Sequence, residues 1–324
     1  MELQGKVILV TGGTGSFGQK FTEIVLKEHE PKAIRIFSRG ELLQHEMRTR
    51  FNDDPRLRFF IGDVRDRERV HRAMNGVDIL VHAAALKHVP ICEYNPIEAV
   101  RTNIDGAVNV VDAAIDNNIE RAVAISTDKA VHPVNLYGAT KQVMEKLFIQ
   151  ANTYSGGIKP KFGCVRYGNV IGSRGSVIPL FLKQRENGKI TITDEGMTRF
   201  WITLEQGVRF VITCINRMYG GEVFVPKIPS MEITELARAI ASDAEREITG
   251  IRPGEKVNEI LLTEEEARHS QEFDDCFVIE PEYPYWGKDR LEGGKTFPEG
   301  FRYTSDSNNW WLTIDELRSL VDEI

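Results

Sequence analysis

The sequence predicts an α/β protein, a doubly wound parallel sheet followed by a smaller C-terminal substrate lobe. Three observations carry that expectation. An apolar, β-rich run ends in a glycine loop that opens a helical stretch; strand-like and helix-like segments then alternate through the first half; and the polar clusters fall where strands end. Such alternation builds a parallel sheet covered on both faces, with ligands outside the carboxyl ends of its strands. The chain of 324 residues is long enough for one large α/β domain with a lobe, or for two domains.

Composition narrows the function classes. Acidic residues outnumber basic ones 48 to 41, so no global charge attracts nucleic acid. No apolar run approaches the roughly 20 residues of a membrane span, and no membrane association is expected. The opening MELQGKVILVTGG leads into glycines rather than a small-residue cleavage site, so no export signal is expected. Cys92, Cys164, Cys214 and Cys276 are far apart and form no CxxC pair. Neither a zinc site nor a disulfide framework is indicated, and a reducing cytoplasm is the expected compartment. His82, His88 and His132 lack HxH or HxxxH spacing, and no metal is assigned.

Taken in order, the first strand is Lys6–Val10, and TGGTGSFG follows it at residues 11–18, before a helical stretch from Gln19 to His29. Gly12, Gly15 and Gly18 permit a tight turn, close backbone approach and helix packing. Together with Thr14, Ser16 and Phe17 they place N–H groups at a helix start, where a pyrophosphate would sit. The second strand, Ala33–Phe37, ends in Ser38 and Arg39. At that place an acid binds the 2′-OH of NAD and an arginine suits a 2′-phosphate, so Arg39 favours NADP, with NAD as the alternative. The third strand, Arg58–Ile61, closes on Gly62, Asp63 and Val64. Asp63 either accepts from the adenine amino group or caps the next helix. Asp78–His82 is the fourth strand, and the small residues Ala83, Ala84 and Ala85 after it would let backbone approach a cofactor. A helix over residues 107–117 and a strand over Ala122–Ile125 complete the alternation.

The stretch from Ser126 to Lys141 concentrates chemistry at that strand's end. Tyr137 and Lys141 are four residues apart, so on a helix they share a face, and the ammonium would lower the tyrosine pKa. A hydroxyl tuned in this way is a general base; the plain alternative is an exposed Tyr and Lys on a helix surface.

TGGTGSFG, the HAAA strand end and ST followed by YGATK together resemble the extended short-chain dehydrogenase/reductase family, whose first domain is a Rossmann fold. Within it the chain is similar to the UDP-N-acetylglucosamine 4,6-dehydratases, on ALKHVP with EYNP (residues 85–96), STDKA (126–130), PVNLYGATK (133–141), RYGNVIGSRGS (166–176) and MTRFW (197–201). Among these, it resembles the soluble C5-inverting enzymes that open pseudaminic acid synthesis. Their membrane-bound retaining relatives carry Met where this chain has Tyr137. The resemblance runs nearly end to end. One departure bears on the cofactor: the usual SRDELK-like segment reads Ser38-Arg39-Gly40-Glu41-Leu42-Leu43 here, without the lysine that would help hold a 2′-phosphate.

The resemblance implies roles. Tyr137, assisted by Lys141, takes the C4 hydroxyl proton, and Thr127 holds the same hydroxyl. Lys129 is the candidate base at C5, which requires a depressed pKa, and Asp128 the candidate acid at C6, which requires a raised one. The alternative for these two is an ion pair between surface neighbours. Lys87, Asn169, Val170, Arg174, Arg199, Arg252 and Glu255 are expected to line the nucleotide-sugar, because arginine forks match a diphosphate. A surface pair of Arg252 with Glu255 is the alternative there.

By domains, residues 1–170 form the NADP-binding unit with 200–225 returning to it, and residues 171–199 and 226–324 the substrate lobe. In the second half, Phe210–Met218 and Ile233–Ile240 read as helices and residues 220–226 as turn then strand. A last helix follows Thr313, with Glu316 at the capping-box position. Trp310 and Trp311 either serve a contact between subunits or cover the lobe. Family precedent implies a homo-oligomer. Two other functions fit parts of the pattern: a nucleotide-sugar 4-epimerase, and a nonenzymatic dinucleotide sensor on the same fold.

Overall fold

The computed structural model describes residues 3–156, 159–171, 177–283 and 290–322. Val7–Thr11 (β1) is buried at all five residues, as a strand covered on both faces must be. It pairs in parallel with Ala33–Ser38 (β2) on one side. After Leu57–Ile61 (β3) has paired with β2, the chain crosses back to place Ile79–His82 (β4) on the other side of β1. Arg121–Thr127 (β5) and Lys161–Tyr167 (β6) continue outward in parallel. The order β3-β2-β1-β4-β5-β6 reverses between β1 and β4. The splayed loops at that reversal open a crevice at the carboxyl ends of the strands.

Three more strands extend this sheet to nine among the described residues. Val223–Pro226 lies parallel to β6, and Cys276–Ile279 and Ser270–Glu272 follow antiparallel. Val223–Pro226 thus lies in the large sheet, and so do Ser270–Glu272 and Cys276–Ile279, two strands of the 226–324 stretch expected in the lobe. Cys276–Ile279 is buried throughout and completes the large sheet's core.

The lobe has its own hydrophobic cluster, including Ile178, Phe181, Ile190, Trp201, Leu236 and Leu317. Thr198–Thr203 runs between Asn169–Ile171 and Ser230–Glu232, so the lobe is joined to the residues just past β6. Helix limits differ modestly from the sequence pattern. The first helix is Ser16–Glu28. The helix expected from Phe210 spans Leu204–Arg217, because Thr203 and Gln206 form a capping box six residues earlier. The Thr313–Glu316 exchange stands at the start of Ile314–Asp322. Trp310 and Trp311 are exposed in part, and the Trp311 indole donates to the Asn308 carbonyl at 2.6 Å.

One buried network ties the halves together. Arg166 on β6 forms a two-pronged pair with Glu145 of the helix Leu136–Tyr154 (3.0 and 2.7 Å) and another with Glu266 (3.0 and 2.9 Å). It also donates to the Leu261 carbonyl at 2.9 Å. Burial opposes the guanidinium charge, and the two carboxylates outweigh it, so its pKa moves upward.

Candidate active site

A cleft of about 1390 Å³ runs from the glycine loop, across the carboxyl ends of β1, β4 and β5, to the lobe. At its first end Gly12 has φ +67°, and a Cβ there would lie 2.9 Å from the Ala84 backbone. A Cβ on Gly18 would lie 2.3 Å from the Gly13 carbonyl oxygen, so the helix start can sit against the loop only as glycine. Gly15 occupies the N-cap position and no side chain caps this helix, which leaves its first N–H groups for a ligand. Thr14, Ser16, Phe17, Ala83, Ala84 and Ala85 line the same end. This is a cradle that fits a pyrophosphate. Gly18 is set behind the lining.

Below it, the Thr11 hydroxyl accepts from Ala84 N–H at 3.3 Å and bonds His82 Nδ1 at 2.8 Å. Burial, then the Lys141 ammonium, holds His82 down at about 3, so its ring is neutral. At the carboxyl end of β2, Ser38 receives the amide of buried Gln44 at 3.0 Å. Arg39 is 60% exposed with its guanidinium 3.9 Å from Asp63, and Val64 lines the cleft beside them. Asp63 accepts from Arg65 N–H and guanidinium, whereas Asp66 caps the helix Arg67–Met74 by accepting from Arg69 N–H. The capping alternative for Asp63 is thereby corrected. Burial works against the Asp63 charge, and Arg65 with Arg39 turns the balance, lowering its pKa.

At the centre, Thr127 ends β5 and caps the single turn Asp128–Ala130. Its hydroxyl donates to Asp128 Oδ1 at 2.8 Å. Lys129 Nζ also reaches Asp128 Oδ1 at 3.0 Å, and stands 3.5 Å from Asn169 Oδ1. Thr127, Lys129 and Tyr137 all face the cleft; Asp128 has no exposed surface and stands behind them, with Oδ2 unpartnered. A depressed Lys129 pKa, expected of a base, is not what this state holds. Burial pulls it down, but Asp128 and Glu259 more than offset this and the net direction is up.

Tyr137 differs as well. Burial pushes its phenol up to about 12, against the pull of Lys129 and the Thr127 hydroxyl. Lys141, expected to be the lowering cation, instead donates to the Ile125 carbonyl at 2.6 Å. Burial draws Lys141 down to about 8.

The helix carrying Tyr137 begins at a doubly fixed point. Asn135 caps it, accepting from Gly138 N–H at 2.8 Å, and donates to the Gly254 carbonyl at 2.8 Å. Glu93 accepts from Leu136 N–H. A Cβ on Gly138 would lie 2.0 Å from the Lys129 carbonyl oxygen. Gly138→Ala therefore forces this helix off the Lys129 turn. Turnover should fall by at least about tenfold as the catalytic groups move apart, measured by steady-state kinetics on folded protein.

On the lobe side, Lys87, Asn169, Val170, Arg199, Arg252 and Glu255 line the cleft; Arg174 lies outside the described residues. Arg199 is almost buried, and its guanidinium donates to the carbonyls of Thr198, Val257 and Lys256. It holds the 252–257 loop. Arg252 is exposed and stands 3.8 Å from Glu255, the surface pair expected as the alternative, at the rim of the cleft.

A model of the family described as polysaccharide biosynthesis protein matches residues 8–281. The chain belongs to this polysaccharide biosynthesis protein family. Its architecture is that of the extended short-chain dehydrogenases/reductases. Over 98% of its length it is 49% identical to 97% of a protein of Campylobacter jejuni subsp. jejuni named UDP-N-acetylglucosamine 4,6-dehydratase (inverting). It is 42% identical, over 98% of its length and 95% of the other, to a Rickettsia conorii protein named UDP-glucose 4-epimerase. The X-ray structure of Pen from Bacillus thuringiensis matches with a TM-score of 0.92 at 40% identity, covering 100% of this chain and 99% of that one.

For this member of the polysaccharide biosynthesis protein family, sequence reasoning passed over three contributors. Asn103 bonds both Leu86 backbone groups (2.8 and 2.9 Å) and the Thr140 hydroxyl (2.9 Å), fixing the β4 end against the Tyr137 helix. Lys256 donates to the Val131 carbonyl at 2.5 Å. Glu259 is buried facing Lys129. Only Lys256 and Glu259 had a signal, their place in and just after RPGEK.

Proposed function

We propose that the chain is a nucleotide-sugar dehydratase, converting UDP-N-acetylglucosamine to a UDP-2-acetamido-2,6-dideoxy-hexos-4-ulose with inversion at C5. The observation that carries this is the convergence of Tyr137, Thr127 and Lys129 on one part of the cleft wall, with Asp128 behind. Oxidation at C4 needs only a hydroxyl acceptor such as Tyr137. A second acid–base group beside it serves a second proton transfer, which removal of water across C5 and C6 requires and 4-epimerisation does not.

The glycine loop, Arg39 and the Ala83–Ala85 strand end would hold a nicotinamide dinucleotide, with NADP favoured by Arg39 and NAD the alternative. When bound, it supplies hydride acceptance from C4 and hydride return to C6, without net oxidation. Tyr137 then takes the C4 hydroxyl proton while Thr127 orients that oxygen. Lys129, once neutral, removes the C5 proton made acidic by the C4 ketone. As an ammonium it delivers a proton to the departing C6 hydroxyl, which leaves as water, and a solvent-derived proton then adds to C5 on the opposite face, which sets the inverted configuration. Asp128, expected as the acid at C6, has no exposed surface and does not line the cleft, so it is assigned instead to act through the two groups it touches, Thr127 and Lys129. Lys87, Asn169, Val170, Arg174, Arg199, Arg252 and Glu255 form the nucleotide-sugar side. This reading goes with a cytoplasmic homo-oligomer; no helix among the described residues is long and apolar enough to cross a membrane.

Incubation with UDP-N-acetylglucosamine in D2O should yield a product lighter by one water, before isotope correction, carrying solvent deuterium at C5. NMR of that product reads the C5 configuration. An isomer of unchanged mass would make the protein a 4-epimerase, and neither product nor exchange would sink the enzyme reading for this substrate.

A further inference from the structure

Glu259 is 2% exposed and lines the cleft. Its backbone is pinned on both sides, because its N–H donates to the Ser305 hydroxyl and its carbonyl accepts from Ser305 N–H, each at 2.9 Å. The side chain meets three cations from three elements. Oε1 is 3.4 Å from Lys129 Nζ and 3.9 Å from Arg199 Nε; Oε2 accepts no hydrogen bond and lies 3.8 Å from Lys256 Nζ. A carboxylate taken so far out of water persists only with such partners.

We propose that Glu259 is the positioning residue for Lys129: as a second carboxylate beside Asp128 it fixes Nζ at the cleft wall and keeps the amine protonated between turnovers. Nζ stands 3.0 Å from Asp128 Oδ1, 3.4 Å from Glu259 Oε1 and 3.5 Å from Asn169 Oδ1, so two carboxylates from different elements and one amide oxygen fix its place. Neither neighbouring cation can take over its place. Arg199 is committed to the carbonyls of residues 198, 256 and 257, and Lys256 to that of Val131. The groups facing Lys129 are Asp128 on its own turn, Tyr137 on the helix, Asn169, Arg199, Lys256 and Glu259. Replacing Glu259 by glutamine removes one negative charge and leaves the cations, which then favour a neutral Lys129. The use of Lys129 as the C5 base rests on the dehydratase reading, whereas the Glu259–Lys129 link is readable without it.

The test is made on the full chain labelled with 13C at lysine Cε, the Lys129 signal being the one lost in Lys129→Arg. In Glu259→Gln the midpoint of that signal should fall by at least about one pH unit. Glu259→Asp, with its carboxylate drawn back from Nζ, should show a smaller fall. In parallel, the rising limb of kcat against pH should move down in Glu259→Gln, with KM for UDP-N-acetylglucosamine near wild type. An unmoved Lys129 midpoint overturns the proposal, even if activity drops uniformly, because that pattern is structural support alone. If Glu259→Gln does not fold, an unmoved midpoint in Glu259→Asp overturns it equally. A moved midpoint in a protein whose wild type dehydrates nothing supports the link and sinks the dehydratase reading instead.

Discussion

Tyr137→Phe lowers turnover of UDP-N-acetylglucosamine by about 100- to 10,000-fold, the range that a positioned acid–base group contributes, and leaves the fold intact. The ring stays and one oxygen goes. The helix start depends on Asn135, Glu93 and Gly138 rather than on the phenol. With burial holding the phenol at about 12, Tyr137 carries its proton at neutral pH and releases it only with help. That help comes from the Lys129 ammonium and the Thr127 hydroxyl, the two groups that pull its pKa down. The loss should therefore fall on kcat more than on KM, read by the rate of water loss from the sugar at saturating substrate. Unchanged turnover would require a different group at the C4 hydroxyl.

Arg166→Leu costs about 3–5 kcal/mol of folding stability, the penalty of breaking a buried pair from one side. The substitution leaves Glu145 buried at 3% exposure without its cation, and takes two hydrogen bonds from Glu266. Chemical denaturation of the folded protein measures it. The double variant Arg166→Leu/Glu145→Leu should recover part of the loss, since removing both charges also removes their desolvation. A single-variant cost below about 1 kcal/mol, the level of an exposed pair, would contradict the burial on which this rests.

The parts legible in the sequence were those whose physics is local. The glycine loop, the parallel strands and the cluster after β5 each declare themselves within a dozen residues, and Thr313 with Glu316 needed only four. What was not legible depends on distant residues. Glu266 is 100 positions from Arg166, and nothing near either marks them as partners. Tyr137 and Lys141 do share a helix, yet the amine turns to a β5 carbonyl because the apolar interior offers it no water. Lys129 took the place at the phenol because Gly138 lets the turn and the helix touch. Asp128 faces inward for the same reason that Thr127 caps its turn. The strands at 270–279 are short and antiparallel, and so carry no alternation with helices to announce that they rejoin the large sheet.

Asn135 shows how narrow the choice of side chain can be. Its carbonyl oxygen receives the helix and its amide hydrogens reach the Gly254 carbonyl across the cleft wall. Aspartate would satisfy the first contact and, lacking a donor, face the second with lone pairs against lone pairs. Serine is too short to span both, and glutamine carries an extra methylene into a space where a Cβ on Gly254 would already lie 3.1 Å from Asn135 Cβ. The vocabulary of twenty residues holds one word that reads correctly in both directions here, and through it the 252–257 loop and the helix that carries Tyr137 share a single fixed point.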